Sequence, residues 1–374
     1  MSKELIPVAA PMFVGNEKAY VMDCLDSTWI SSTGEYIDRF ERAFAEFCGV
    51  KHALTCSNGT TALHLALMGL GVGPGDEVLV PTLTFVATAN AVTFCGARPV
   101  FVDSEPDTWN MDPAALESKI TERTRGIIAV HLFGHPADMK AIAPIARRHR
   151  LFLLEDGAQA HGGECDGRRV GSIGDVAAFS FYGNKIMTTG EGGMVVTDDD
   201  EMAGRMRQLK SQGADPGRRY WFPVVGYNYR MTNVAAAIGL AQLEKADWHL
   251  QRRREVAAWY REELRSAAGL VWQAEKAWAR HVWWMFSVVV DGEAPPRDEI
   301  MAHLLARGIE TRPFVHPLHT LPPYRDASRE EDFPVAERLG RRGINLPTWA
   351  GVTRDQVRYV CDRLRECLAT SRAS

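Results

Sequence analysis

A single lysine lies in a turn between an apolar run and a glycine-rich exit, in the segment AAFSFYGNKIMTTGEGGM at residues 177–194. The neighbours of Lys185 on both sides are uncharged, and burial among such residues lowers the pKa of an amine. An amine with a lowered pKa attacks carbonyl groups and forms Schiff bases. A lysine on a turn is more often solvated, so this chemistry needs support from elsewhere in the chain.

The rest of this segment favours pyridoxal phosphate as the carbonyl compound. Ser180 stands five residues before Lys185, and its hydroxyl could reach a phosphate group. Gly190, Gly192 and Gly193 carry no Cβ, so the backbone could come close to a bound group there.

A second candidate for phosphate binding is SNGTTAL at residues 57–63, where a strand is predicted to end and a helix to begin. Gly59 and Thr60 stand at the N-terminus of that helix, where free backbone N–H groups and the helix dipole attract anions. Plain capping of the helix by Ser57 or Asn58 explains the same residues.

Polar and aromatic side chains follow two other predicted strands. Asp156 ends the apolar run LFLLED, and a carboxylate there could keep a pyridine nitrogen protonated, so that the ring withdraws electrons. Gln159 could bond a ring hydroxyl, and Phe85 in PTLTFVATAN could stack on a planar cofactor. A helix cap at Asp156 and a core position for Phe85 are the structural alternatives.

The elements that must position these residues alternate along the first half of the chain. The predicted strands are HALTCS, EVLVP, RPVFVD, GIIAVHLFG and LFLLED. Helix-like runs such as NGTTALHLALMGL and MKAIAPIARRHR separate them. Such alternation predicts an α/β fold with a mostly parallel sheet that is covered on both faces.

A different pattern begins after the glycine-rich exit. A loop with proline and aromatic residues is predicted at 212–230, and a long amphipathic helical stretch at 232–268. The strand-like run WWMFSVVVD and two further helices follow. We therefore predict a large α/β domain at 1–250, with residues 1–15 extended, and a smaller C-terminal α+β domain at 251–374.

Composition narrows the class of protein. The 374 residues carry a net charge of -4 and so lack the basic surplus of proteins that bind nucleic acid. The seven cysteines are scattered and never spaced C-x-x-C, which favours reduced thiols in a cytoplasm over disulfides or a zinc site. The N-terminal MSKELIPVAAPMFVG lacks a long apolar core, so we expect no signal peptide and no membrane anchor. No cluster of residues has metal-ligand spacing, and we expect no metal.

The motifs, in their order and spacing, resemble those of the DegT/DnrJ/EryC1/StrS family of pyridoxal-phosphate-dependent sugar aminotransferases over nearly the whole chain. The motifs that carry the resemblance are SNGTTALHLAL, GDEVLVPTLTFVATANAV, PVFVD, HLFGHPADM, LEDGAQAHG, GSIGDVAAFSFYGNK, TTGEGGMV and GYNYRMTNVAAAIGLAQL. The resemblance implies the fold of the fold-type-I aminotransferases and a homodimer with its active sites at the subunit interface.

The resemblance also implies a role for each cofactor residue. Lys185 would form the Schiff base with pyridoxal phosphate and move the proton during transamination. Asp156 would pair with the pyridine nitrogen, Gln159 would bond the ring oxygen, and Phe85 would stack on the ring. The phosphate would be held by Gly59, Thr60, Ser180 and, from the neighbouring subunit, Asn228.

Within the family, four segments most resemble enzymes that aminate C4 of the nucleotide-linked sugar GDP-4-keto-6-deoxymannose: STWISSTGEYIDRFE, FYGNKIMTTGEGGM, RRYWFPVVGYNYRMTN and RPFVHPLHTLPPY. L-glutamate would be the amino donor and 2-oxoglutarate its product. UDP- or TDP-linked keto-sugars and amination at C3 stay open, because related enzymes share the cofactor residues.

Two basic-aromatic loops are candidates for binding the substrate. Arg219 and Tyr220 lie in one loop and His316 in the other, and arginine is suited to bidentate contacts with a diphosphate. His316 stands where the family pattern leads us to expect an aromatic residue. A solvated loop or a subunit contact explains each of these loops equally well.

Two rival classes of protein remain. The 3-dehydratase branch of the same family has a histidine at the lysine position, and the presence of Lys185 argues against it. A cofactor-binding sensor without catalytic activity is the other. The intact set of Lys185, Asp156, Gln159 and Ser180 argues against this sensor role.

Overall fold

Strands and helices alternate through the first half of the chain, as the sequence predicts. The computed structural model describes residues 5–292, 294–327 and 332–370. In chain order its strands are β1 His52–Cys56, β2 Glu77–Pro81, β3 Arg98–Val102, β4 Thr124–Val130, β5 Phe152–Asp156, β6 Glu164–Cys165, β7 Arg168–Arg169, β8 Val176–Ser180, β9 Gly193–Thr197, β10 Leu270–Trp272, β11 Ala279–Arg280, β12 Phe286–Val290, β13 Arg312–Pro313 and β14 Gly343–Leu346. Its α-helices are α1 Glu17–Asp26, α2 Glu35–Cys48, α3 Gly59–Gly69, α4 Ala87–Phe94, α5 Pro113–Leu116, α6 Met139–Arg148, α7 Asp200–Lys210, α8 Asn233–Leu243, α9 Ala246–Glu263, α10 Arg297–Leu305, α11 Pro334–Arg342 and α12 Arg354–Thr370.

Within the described residues, seven strands form the central sheet in the order β1-β9-β8-β5-β4-β2-β3. Strands β3, β2, β4, β5 and β8 run parallel, whereas β9 is antiparallel to β8 and β1 is antiparallel to β9. Every residue of β2, β8 and β9 is buried, as expected for strands that helices cover on both faces. The predicted α/β fold with a mostly parallel sheet is therefore confirmed.

Helix α3 begins directly after β1, and its N-terminus is capped. The side chain of Asn58 accepts the backbone N–H of Thr61 at 2.9 Å, and the hydroxyl of Thr61 accepts the N–H of Asn58 at 3.2 Å. Because β1 is antiparallel to β9 and β9 to β8, β1 ends at the same edge of the sheet as β5 and β8. The first turn of α3 thus lies at the edge where Asp156 and Ser180 end their strands.

The C-terminal part of the chain forms a second, antiparallel sheet in the order β10-β12-β14-β13. Helices α9, α10 and α12 contribute apolar side chains to its core. The short β11 pairs with β6, and Ile6 of the N-terminal segment bridges Ile309. The predicted boundary at residue 250 falls inside α9, and the division into 1–250 and 251–374 stays a prediction. Residues 1–4 of the predicted extended segment lie outside the described residues.

The helical stretch predicted at 232–268 is wrong as a single element. It consists of α8 and α9, which a turn at Glu244 and Lys245 separates. Helix α8 packs on α1 and α2, whereas α9 packs on α12, so the break directs each helix to a different core. The sequence analysis also missed α11 and β14. None of the helices in the described part is both long and apolar enough to cross a membrane.

Candidate active site

The turn that carries Lys185 joins β8 to β9 and is closed at its base. The N–H of Phe181 donates to the carbonyl of Gly192 at 2.8 Å, and the N–H of Thr189 donates to the carbonyl of Phe181 at 2.9 Å. Inside the turn, the N–H of Lys185 donates to the carbonyl of Tyr182 at 2.9 Å. These bonds hold Lys185 at the carboxyl edge of the parallel strands, where ligands bind in open α/β sheets.

The amine of Lys185 belongs to a half-buried side chain. Burial lowers the pKa of Lys185 from 10.5 to about 8, and the negative charge of Asp156 acts in the opposite direction. The Nζ atom lies 4.2 Å from the centroid of the Trp284 ring. Near neutral pH such an amine has an appreciable free-base fraction, which nucleophilic attack and proton transfer both require.

Asp156 ends β5, and its carboxylate is held on two sides. The hydroxyl of Thr88 donates to Oδ2 at 2.8 Å, and the N–H of Ala158 donates to Oδ1 at 3.2 Å. Burial raises the pKa of Asp156, while these hydrogen bonds and the charge of Lys185 act against the rise. A protonated ring nitrogen needs a fixed, buried carboxylate of this kind as its partner.

The amide of Gln159 has a defined orientation. Its Oε1 accepts the backbone N–H of Phe133 at 2.8 Å, so its NH2 group is the end that can donate to a ring oxygen. Phe133 has a φ of 54°, in the left-handed region that residues other than glycine rarely adopt. Backbone strain of this kind concentrates at functional sites.

Two glycines allow the N-terminus of α3 to pack directly on β8 and β9. A Cβ on Gly59 would lie 2.7 Å from Cβ and 3.0 Å from Oγ of Ser180. A Cβ on Gly193 would lie 2.2 Å from the carbonyl oxygen of Asn58. The hydroxyl of Ser180 therefore lies beside the first amides of α3, those of Gly59 and Thr60, which have no acceptor inside the helix. Together they form a cradle for an anion.

Phe85 lies in the turn between β2 and α4. Its carbonyl accepts the N–H of Thr88 at 3.2 Å, and the hydroxyl of Thr88 bonds Asp156. The ring of Phe85 is 59% exposed, so the core position considered from the sequence is wrong for it. An exposed aromatic face linked to Asp156 in this way fits a stacking role.

Other predicted residues stand apart from Lys185 in this chain. Asn228 is exposed and pairs in a backbone bridge with Ser211. Arg219 and Tyr220 are exposed and contact each other, with the guanidinium carbon 4.9 Å from the centroid of the ring. His316 is exposed as well. The contacts of the described residues join none of these four side chains to the lysine.

His319, in the same loop as His316, has a structural role. Its Nδ1 lies 2.6 Å from the hydroxyl of Thr82, and its Nε2 lies 2.9 Å from a carboxylate oxygen of Glu337. The N–H of Leu318 donates to the carbonyl of Thr82 at 2.7 Å. These bonds hold the loop against the end of β2, three residues before Phe85.

The structure adds three residues that the sequence analysis missed: Thr88, Trp284 and Arg253. Thr88 could have been found, because it belongs to the same motif as Phe85 and opens α4 at the same sheet edge. Trp284 and Arg253 come from distant elements and carry no local signal.

The residues around Lys185 fit pyridoxal phosphate. The cradle of α3 and Ser180 suits its phosphate, the carboxylate of Asp156 suits its ring nitrogen, and the NH2 group of Gln159 suits its ring oxygen. The amine of Lys185, with its lowered pKa, suits its aldehyde. Each of these groups is fixed by contacts within the chain.

Comparisons with known proteins point to the same class. The DegT/DnrJ/EryC1/StrS aminotransferase family pattern matches residues 12–365. A protein named GDP-perosamine synthase from Caulobacter vibrioides is 53% identical over 365 residues, which cover 97% of this chain and 98% of that protein. One of the same name from Escherichia coli O157:H7 is 49% identical over 361 residues, which cover 96% of this chain and 98% of that protein. The PLP form of the putative sugar aminotransferase Spr1654 from Streptococcus pneumoniae has a TM-score of 0.93 at 29% identity, over 98% of this chain and 99% of that one.

The fold, the site and these relatives define a pyridoxal-phosphate-dependent sugar aminotransferase. The chain belongs to the DegT/DnrJ/EryC1/StrS aminotransferase family. The predicted cofactor and the predicted family are thereby confirmed. The roles of the individual site residues stay predictions.

We expect Gly59→Ala to weaken the binding of pyridoxal phosphate about ten- to hundredfold, because overpacking of this size costs about 1–3 kcal/mol. The added Cβ displaces the side chain of Ser180 and opens the cradle. The dissociation constant is measured by titrating cofactor-free protein and following the visible absorbance. Gly204→Ala, in α7, is the matched control because its Cβ meets nothing within 4 Å. Equal affinities of the two variants for pyridoxal phosphate would contradict phosphate binding in this cradle.

Proposed function

We propose that the protein transfers the amino group of L-glutamate to C4 of GDP-4-keto-6-deoxymannose, yielding GDP-perosamine and 2-oxoglutarate. The observation that carries this proposal is the similarity to two GDP-perosamine synthases, which covers nearly the whole of this chain and of both relatives. The amine of Lys185 beside Asp156 provides the groups that amino transfer needs.

Pyridoxal phosphate, when bound, supplies an aldehyde for the amine and a ring that withdraws electrons from the carbon that loses its proton. Nζ of Lys185 takes the proton from Cα of glutamate in the first half-reaction and would pass it to the aldehyde carbon of the cofactor. In the second half-reaction, Nζ of Lys185 would take a proton back from that carbon and give it to C4 of the sugar. Asp156 keeps a positive charge on the ring nitrogen, which makes both proton transfers easier.

The other residues bind and orient the cofactor. The hydroxyl of Ser180 and the amides of Gly59 and Thr60 hold the phosphate. The NH2 group of Gln159 donates to the ring oxygen, and Phe85 covers one face of the ring. Because Ser180 ends β8, and Gly59 and Thr60 open α3, three of these five residues are fixed by the sheet and the helix before any ligand binds.

The exposed basic-aromatic loops are our candidates for the nucleotide sugar. Arg219 lies over the ring of Tyr220 and donates from Nη2 to its hydroxyl at 3.3 Å, and both residues are exposed. A guanidinium in this state can still bind a diphosphate through its remaining N–H groups. His316 lies two residues before Leu318, whose N–H donates to the carbonyl of Thr82 just after β2. The loop of His316 is therefore close to the turn that carries Phe85.

The protein acts as a homodimer in this proposal, with Asn228 of one subunit at the phosphate of the other. The loop that precedes Asn228 exposes a run of apolar side chains, and exposed apolar patches mark interaction surfaces. The exposed apolar residues of this loop are Tyr220, Trp221, Phe222, Val224 and Val225. Light scattering coupled to size exclusion measures the mass in solution, and a monomer would contradict the proposal.

We place the reaction in the cytoplasm. None of the seven cysteines, all of which the structure describes, forms a disulfide, and six of them are buried. Buried reduced thiols are typical of a reducing compartment.

Mixing two inactive variants tests the role of Asn228 across the interface. Subunits with Lys185→Ala and subunits with Asn228→Ala, co-expressed in equal amounts, form heterodimers in which one site carries both changes and the other carries neither. We expect about a quarter of the wild-type activity from this mixture. The activity is measured as 2-oxoglutarate formed by the purified mixture of heterodimers and homodimers, relative to the same amount of wild-type protein.

The matched control mixes Lys185→Ala with Asp156→Asn. These two side chains lie in the same site of one chain, so every site in the heterodimer carries one change and the activity stays at background. Recovery in the control, or no recovery with Asn228→Ala, would contradict the role proposed for Asn228.

The proposed substrate is tested by incubating the cofactor-loaded protein with L-glutamate and GDP-4-keto-6-deoxymannose. The formation of 2-oxoglutarate reports amino transfer, and NMR of the product reports which carbon carries the amine. TDP- and UDP-linked 4-keto-6-deoxy sugars and a 3-keto sugar serve as the competing substrates. We expect turnover of the GDP sugar to a 4-amino product.

Two outcomes separate the parts of the proposal. If glutamate yields a single equivalent of 2-oxoglutarate and the GDP sugar is untouched, the aminotransferase function stands and the sugar is wrong. If glutamate yields no 2-oxoglutarate at all, the donor or the reaction itself is wrong.

A further inference from the structure

Trp284 lies just before β12, far along the chain from Lys185. It nevertheless contacts, at two points, the turn between β8 and β9 that carries Lys185, which we call the lysine turn. The centroid of its ring is 4.2 Å from Nζ of Lys185. Its indole N–H donates to the carbonyl of Asn184 at 2.8 Å. One contact is with the reacting amine, and the other fixes the backbone that carries this amine. The roles described above use neither contact.

The indole itself is fixed from behind. The carbonyl of Trp284 accepts Nη1 of Arg253 at 2.7 Å, and the same guanidinium donates to the carbonyls of Thr348 at 2.9 Å and Lys185 at 3.4 Å. The side of the ring also meets Phe133, with centroids 6.4 Å apart and planes at 24°. Since the N–H of Phe133 orients Gln159, the indole of Trp284 contacts both the amine of Lys185 and the residue that orients Gln159.

We propose that Trp284 is a further residue of the amino-transfer site, whose indole face holds the amino group of Lys185 while that group is not bonded to the cofactor. The negative face of an indole attracts an ammonium group, and the attraction grows when water is excluded. Burial alone favours the neutral amine. The ring offsets part of this effect, so that the released lysine can carry a proton and stays next to the reacting atoms.

Three ionisable groups also face this amine. Asp156, from β5, favours the charged form of Lys185. Burial lowers the pKa of His161 to about 3, so this imidazole is neutral near pH 7. Burial lowers the pKa of Arg253 to about 10, so its guanidinium on α9 stays charged and bonds the backbone of Lys185. Among the described groups around Nζ, the indole is the aromatic face within 6 Å.

This inference rests on the proposed function of Lys185, but its test does not depend on turnover. In cofactor-free protein, a small amine-reactive reagent labels Lys185 at a rate that follows the free-amine fraction. Peptide mass spectrometry across a pH series gives the midpoint of this labelling. Turnover by the cofactor-loaded wild type tests the proposed function separately. The labelling midpoints can therefore be interpreted even if no turnover is found, and turnover can be interpreted even if the midpoints do not shift.

Four variants separate the possible roles of the ring. Trp284→Phe keeps an aromatic face and loses the indole N–H, whereas Trp284→Leu and Trp284→Met lose both and keep the apolar bulk. Trp278→Leu is the control, since that ring packs on His135 and not on the lysine turn. Circular dichroism confirms that each variant is folded, and Trp284→Met replaces Trp284→Leu if the latter is not.

We expect the midpoint for Lys185 to fall by about half to one pH unit in Trp284→Leu and Trp284→Met, because the charged form loses its aromatic partner. Trp284→Phe stays within about three tenths of a unit of the wild type, and Trp278→Leu does not shift. An unchanged or higher midpoint in the folded leucine and methionine variants would overturn the proposal. So would an equal shift in Trp284→Phe, since the indole N–H would then be the group that matters.

Discussion

Replacing Lys185 with alanine lowers the rate of the glutamate half-reaction by at least about 10³-fold, since general acid–base catalysis alone contributes about 10²–10⁴-fold. The alanine variant lacks both the amine that reacts with the cofactor and the base that takes the proton from Cα of glutamate. The rate is measured as single-turnover formation of 2-oxoglutarate without any sugar, so the result does not depend on the identity of the second substrate.

Added amine distinguishes lost chemistry from lost structure. A small primary amine such as ethylamine can enter the space left by the side chain, and we expect it to restore part of the rate in Lys185→Ala. Lys185→Arg fills that space with a group that stays protonated, so the added amine should have no effect on this variant. Lys245→Ala, an exposed lysine at the turn between α8 and α9, is the control. A wild-type rate in Lys185→Ala would contradict a catalytic role for Lys185.

Replacing Asp156 with asparagine lowers the same rate by about 10²–10³-fold, the usual effect of losing one well-placed electrostatic partner. Asparagine has nearly the same shape and still offers an oxygen to the hydroxyl of Thr88. It cannot hold a proton on the ring nitrogen, however, because it carries no negative charge. The affinity for pyridoxal phosphate is measured beside the rate, and it should change less than the rate does.

Thr88→Val provides the graded comparison for Asp156. This variant loses the 2.8 Å hydrogen bond to Oδ2 and keeps the carboxylate, so the pKa of Asp156 rises further. A hydrogen bond to a charged group is worth about 1.5–3 kcal/mol, and we expect a rate loss of about tenfold or somewhat more. If Thr88→Val is as slow as Asp156→Asn, the orientation of the carboxylate matters more than its charge.

The central sheet and the cofactor residues could be predicted because their signals are local. β2 and β8 are continuous apolar runs, and such runs indicate strands that are buried on both faces. Asp156 and Ser180 follow from the same pattern, since Asp156 ends the apolar run of β5 and Ser180 ends that of β8. The glycine at position 59 is explained by packing that the sequence could not show, namely the approach of α3 to the side chain of Ser180.

The elements that were missed depend on tertiary packing. The turn at Glu244 and Lys245 contains neither glycine nor proline, so nothing in the sequence ends the helix there. β14 has only four residues, and its pairing with β12 and β13 defines it. Trp284, two residues before β12, and Arg253, on α9, reach the lysine turn only through contacts between distant parts of the chain. Period and propensity describe neighbours along the chain and carry no information on such contacts.

The three carbonyl groups that Arg253 binds also determine when the site can be completed during synthesis of the chain. They belong to Lys185, Trp284 and Thr348, which leave the ribosome at very different times. A nascent chain can pair the strands of the central sheet early, since those contacts need only its first two hundred residues. Arg253 and Trp284 bond the backbone of the lysine turn, and Arg253 gains the last of its three carbonyl partners when Thr348 arrives. Catalytic competence is therefore a late event of synthesis, even though the lysine itself emerges halfway through.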